Sequence, residues 1–108
     1  MIEETVRHLY GLLVDKKYKE IESMTNGKRM RAIDIENCIV EFGRELIPYP
    51  QTIQLDIVEI RNSDPQEWSV VSPVFTVEEG YSDLSLEMSM TQSSSKLLQT
   101  ELDNIRVR

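Results

Sequence analysis

The sequence predicts an α+β fold in which three N-terminal helices pack on one face of a curved, four-stranded antiparallel meander sheet. Three observations predict it. Apolar residues recur at helical spacing through roughly the first 45 positions, then at a spacing of two from Thr52 onward. The segment Asp83–Thr91 alternates cleanly, Leu84, Leu86, Met88 and Met90 against Ser85, Glu87, Ser89 and Thr91, so one face is dry and the other wet. A strand inside a parallel sheet would be apolar on both faces. The connections between predicted strands are also short, which suits hairpins, and the helices precede all the strands.

Ile2, Val6, Leu9 and Leu13 form the stripe of a first helix over about residues 2–14, with Glu3 and Glu4 where the helix dipole favours acids. A second helix is expected over 15–24. Asp15 suits its N-cap, Tyr18, Ile21 and Met24 form its stripe, and Asn26-Gly27 supplies a left-handed stop. The third, over 32–45, would bury Ile35, Cys38, Ile39, Phe42 and Leu46. Gly43 weakens its last turn, and Pro48 and Pro50 prevent continuation. Tyr49, lying between those prolines, belongs to an extended linker.

Strands are expected over 52–61, 67–77, 83–91 and 97–107. In the first, Ile53, Leu55 and Ile57 share a face while Val58 and Ile60 fall on the other. That implies either a bulge or a strand partly buried on both sides. Asn62-Ser63-Asp64-Pro65 is a turn cluster. In the second strand Pro73 interrupts Trp68, Val70, Val74 and Phe75, and marks a bulge or an edge position. The polar turn Glu78-Glu79-Gly80-Tyr81-Ser82 follows, then Gln92–Ser95 as a flexible loop. The last strand slips phase at Asp103-Asn104. These irregularities point to strong curvature. By element order alone, the arrangement resembles the cone-shaped nuclear transport factor 2-like and cystatin-like architectures.

A chain of 108 residues supports one domain, 1–108, with a modest core, and its 40% hydrophobic and 29% charged content is ordinary globular composition. No apolar run is long enough to span a bilayer, Met1 leads into a charged amphipathic segment, and the single cysteine makes no internal disulfide. A cytoplasmic protein without a membrane segment is expected. The net charge is −7: residues 1–31 carry seven bases and five acids, residues 32–108 five bases and fourteen acids. An acidic body argues against DNA binding, which needs a basic footprint. It suits docking onto a basic protein, or simply solubility.

Candidate chemistry is sparse. Structural zinc wants four Cys or His ligands, and the chain has His8 and Cys38 only. The acids lack EF-hand spacing and the four glycines form no phosphate loop, so neither metal nor cofactor is expected. Cys38 lies on an apolar stripe as a small hydrophobe, and His8 reads as a boundary residue. A cone-shaped cavity could instead use Tyr18, Tyr49 or Asp56, although alternation turns Asp56 away from Ile53, Leu55 and Ile57. Trp68 and Phe75 read as core anchors. Tyr81, set in a polar turn, reads as a partner contact. Lys16, Lys17, Lys19, Lys28, Arg29 and Arg31 form a basic corner, either a solvated face or a contact for phosphate or RNA.

Ser63, Asp64, Pro65, Trp68, Ser69 and Val70, then Pro73, Phe75, Thr76, Glu78, Glu79 and Gly80, then Ser82, Asp83, Leu84, Leu86 and Glu87 make up a pattern. The chain is similar in this pattern to a family of small, uncharacterised bacterial domains. Gly27, Arg29 and Phe42-Gly43 extend the similarity upstream. The resemblance implies a shared fold and carries over no catalytic residue.

The expectation from these readings is a non-enzymatic protein-binding domain, specifically a bacterial immunity protein that neutralises a cognate toxin. The partner would be basic and would meet Asp64, Glu67, Glu78, Glu79, Tyr81 and Asp83, with self-association into a homodimer left open. The alternative is a nuclear transport factor 2-like pocket protein that binds a small ligand, with weak acid–base activity at Tyr18, Tyr49 or Asp56.

Overall fold

The amphipathic segments form α1 (Ile2–Val14), α2 (Tyr18–Met24) and α3 (Ala32–Phe42), followed by β1 (Asp56–Ile60), β2 (Glu67–Thr76), β3 (Gly80–Thr91) and β4 (Gln99–Val107). These elements belong to a computed structural model that describes residues 1–108. The strands pair antiparallel in the order β1-β2-β3-β4, an open meander, so the α+β architecture expected from the sequence is the one found. None of the helices is long and apolar enough to cross a membrane.

One cluster of 19 buried apolar residues joins the helices to the sheet. Alternation selects the strand contributions: Val70 and Val74 from β2, Leu84, Leu86, Met88 and Met90 from β3, and Leu102 and Ile105 from β4. From the helices come Val6, Leu9, Tyr10, Leu13, Ile21, Ile35 and Ile39. β1 contributes none.

Several boundaries differ from the expected ones for local reasons. Asp15 ends α1 instead of opening α2, because its N–H still bonds the Gly11 carbonyl. Lys16 then turns the chain at φ 60° and Lys17 precedes the helix, so α2 starts three residues late and has no side-chain cap. α3 stops at Phe42 because Gly43 adopts a left-handed φ of 71°. Leu46 therefore leaves the helical stripe, yet stays buried through an isolated bridge to Thr76. Gly80, at φ 70°, already belongs to β3, so the hairpin turn is shorter than the expected five residues.

The irregularities flagged by Pro73 in β2 and by broken phase in β4 are both present. The β2–β3 register shifts between Pro73 and Phe75. The β3–β4 register shifts at Glu87/Met88, where Asn104 and Leu102 are the partners and Asp103 is the extra residue. The phase change in β1 has a different cause. Its register with β2 runs unbroken from Asp56↔Val71 to Ile60↔Glu67, and all five residues are exposed. Both faces carry aliphatic residues because no helix covers either side of this edge strand.

Candidate functional site

The six residues expected to meet a partner fall into two groups at opposite ends of β2. Ten residues of strand separate them, about 30 Å. At the hairpin end three of the four side chains have internal partners. Glu78 accepts the Glu45 backbone N–H at 3.1 Å, and Glu79 pairs with Arg44 at 3.2 Å. Tyr81 donates to the Thr52 carbonyl at 2.8 Å and sets its ring edge-on to Phe75, with centroids 5.0 Å apart. Asp83 is exposed, and its backbone carbonyl receives the Arg108 N–H.

At the other end, Asp64 and Glu67 lie beside the end of β1 that carries Glu59, and Asp56 follows at the start of β1, opposite Val71. None of the four takes part in an ion pair. Composition explains this: from Glu45 to Ser95 the sequence holds nine acids and one base, Arg61. Glu87, by contrast, is held by Arg106 at 2.6 Å and Arg108 at 3.4 Å. Among the four acids stand Ile57, Val58 and Ile60, which are 44%, 57% and 39% exposed. Cross-strand register places Ile57 and Glu59 on the face of Val70 and Trp68, and Asp56, Val58 and Ile60 on the face of Val71, Ser69 and Glu67. The result is a short acidic strand with aliphatic groups on both faces. The segment leading into it is held by Arg7, which donates to the Pro50 and Gln51 carbonyls, and by Tyr81 on Thr52. Its far end is held by Ser63 and Gln66, which donate to the Ile60 carbonyl.

The three pocket candidates lie in three places. Asp56 is on the exposed edge. Tyr18 is half-buried on α2, and desolvation followed by nearby Glu36 raises its hydroxyl pKa. Tyr49 stacks on Tyr10, with centroids 3.7 Å apart and planes at 14°. The Tyr49 hydroxyl bonds Ser72 and donates to the Pro73 carbonyl at 2.7 Å. The Tyr10 hydroxyl accepts the Phe75 N–H at 3.0 Å and faces the Ile47 and Phe75 carbonyls at 2.6 and 2.8 Å. Burial pushes Tyr10 up to about 12 and raises Tyr49 as well, so both remain neutral hydroxyls. Together they bolt the Glu45–Pro50 linker to the sheet.

His8 is on the exposed side of α1. The Cys38 thiol points at the Ile105 carbonyl at 3.9 Å, and desolvation raises its pKa. The basic corner divides. Lys28 reaches Glu101 at 3.8 Å, while Lys16, Lys17, Lys19 and Arg31 border an open α2–α3 cleft interleaved with Glu20, Glu22 and Glu36. At the N-terminus of α3, the Ala32 and Arg31 N–H groups are taken by Glu22 at 2.6 Å and Asp34 at 3.0 Å. No three His, Cys, Asp or Glu residues converge as a metal site.

A family model described as a domain of unknown function, DUF7668, matches residues 10–108. The chain belongs to the DUF7668 family. No curated protein and no solved structure matches it. The matched span of this DUF7668 domain includes the tyrosine pair, the α2–α3 cleft and the whole acidic edge. Asp56 as a surface acid is where alternation put it. Its grouping with Glu59, Asp64 and Glu67 was not foreseen, although one signal was available: aliphatic residues on both faces of a short, acid-bearing strand.

Proposed function

We propose that this DUF7668 domain is a non-enzymatic binder of a basic protein, specifically a cytoplasmic immunity protein that neutralises a cognate toxin. One observation carries the reading: four carboxylates without cationic partners surround exposed aliphatic side chains on a strand held at both ends. Unpaired acids attract and orient a basic surface, which raises association rate and selectivity. The aliphatic groups supply the apolar centre that a charged rim alone lacks. A pocket enzyme finds less support, because Tyr18, Tyr49 and Asp56 share no cavity lining. The test is co-expression with the product of the adjacent reading frame. The proposal expects that product to arrest growth alone, growth to recover when this chain is present, and a complex to form at micromolar concentration. Absence of both recovery and complex would refute it.

A further inference from the structure

We infer that β1 captures its partner by strand addition: an extended segment of alternating basic and aliphatic character pairs along Asp56–Ile60 as a fifth strand. The inference rests on the reading above, that the domain binds a basic protein, and adds how it does so.

The main chain gives the first reason. In an antiparallel pair, every second residue of an edge strand turns its N–H and C=O away from its neighbour. The register pairs Asp56, Val58 and Ile60 with the β2 residues that face this edge, so on β1 the outward residues are Ile57 and Glu59, whose N–H and C=O groups meet nothing in the chain. The same side of the sheet is closed elsewhere. β1 ends opposite Val71, and beyond it the edge of β2 is finished by other devices. Pro73 has no N–H, and its carbonyl accepts from Tyr49. Tyr10 accepts from the Phe75 N–H, Ile47 donates to the Phe75 carbonyl at 2.9 Å, and Val77 donates to Glu45 at 3.0 Å. One half of the edge is sealed residue by residue and the other half is left open.

Geometry gives the second reason. β1 contains no proline, lysine or bulge, three of the features that blunt an edge, and its five-pair register is regular. β4, the opposite edge, is interrupted by the extra residue Asp103.

Side-chain chemistry then specifies the occupant. In the antiparallel sense of this sheet, the added strand read from its N-terminus meets Ile60, Glu59, Val58, Ile57 and Asp56 in turn. Complementarity calls for aliphatic, basic, aliphatic, aliphatic, basic. The two bases fall on opposite faces of the strand, matching Glu59 and Asp56. A second copy of the chain fits worse. It also carries −7, and two-fold pairing about Val58 would line four carboxylates along one seam without a counter-charge.

The test uses the peptide acetyl-Thr-Val-Lys-Val-Ile-Arg-Thr-amide with the intact chain, read by backbone amide hydrogen exchange. Strand addition predicts slowing of about tenfold or more at alternate amides within Asp56–Ile60. It also predicts that backbone N-methylation of one alternate set of peptide residues abolishes the slowing, while methylation of the other set preserves it. Because these controls alter only the peptide, the fold of the protein is untouched. Binding that tolerates both methylated peptides equally, and that Asp56→Lys with Glu59→Lys abolishes, would overturn strand addition and leave the acidic surface as the binder. Slowing that depends on protein concentration without peptide would make a second copy the occupant and overturn the inference. Absence of binding by any of these peptides would overturn strand addition together with the reading beneath it.

Discussion

The Tyr10 hydroxyl joins α1 to partners 37 and 65 residues away, the Ile47 carbonyl and the backbone of Phe75. Replacement by phenylalanine strands a buried N–H and a carbonyl, so Tyr10→Phe is expected to cost about 1–3 kcal/mol in urea denaturation, with an unchanged m-value. The same pair fixes an alkaline limit. Tyr10 titrates near 12 in the folded chain against 10 for free tyrosine, and Tyr49 is raised in the same direction, so the unfolded chain loses these protons first. Their contribution is complete below pH 10 and is lost as pH rises toward 12 and beyond. Denaturation midpoints across that range should fall for the natural chain and fall less for the double Tyr10→Phe, Tyr49→Phe variant. This node was not legible in the sequence. Tyr10 sits beside Leu9 on a helix, and no spacing rule connects it to a carbonyl on a distant linker.

Within the elements, the α2–α3 connection depends on Gly27. It adopts φ +59°, and an added Cβ would approach the Glu22 Cγ to 2.9 Å, disturbing the carboxylate that holds the Ala32 N–H. Gly27→Ala is therefore expected to destabilise by about 1 kcal/mol or more, measured by denaturant midpoint. β1 should behave oppositely. Val58→Thr alters a side chain that is 57% exposed on an edge strand and should stay within about 0.5 kcal/mol of the natural chain. Loss of binding in such a variant would then report the surface rather than the fold. The bulge at Asp103-Asn104 was legible because alternation there registers against a buried face and an extra residue breaks it, and the one near Pro73 was legible from the missing N–H of proline. In β1 there is no buried face, so the same rule had nothing to register against. The start of α2 was misplaced for a related reason: Asp15 has the chemistry of an N-cap, but a backbone bond to Gly11 had already claimed it for α1.

Across the whole molecule, which measures 40 × 28 × 24 Å, charge is segregated between a mixed helical side and an acidic strand end. The acidity was plain from composition, and the separation of helices from strands gave the architecture. The position of the unpaired acids was not legible, because Glu78, Glu79 and Glu87 read the same as Asp56 and Glu59 until Arg44, Glu45, Arg106 and Arg108 are seen to engage them. Binding through the strand end should weaken as salt rises, since exposed charges are screened over about 8 Å at physiological ionic strength. Paired reversal of Asp56 and Glu59 to lysine should weaken it about tenfold or more, measured by calorimetry. The most direct measurement is amide hydrogen exchange on this chain, alone and saturated with the product of the adjacent reading frame. The account predicts new protection concentrated in Asp56–Ile60. Protection confined to the Glu78–Asp83 hairpin or the α2–α3 cleft, or no protection at all, would contradict it.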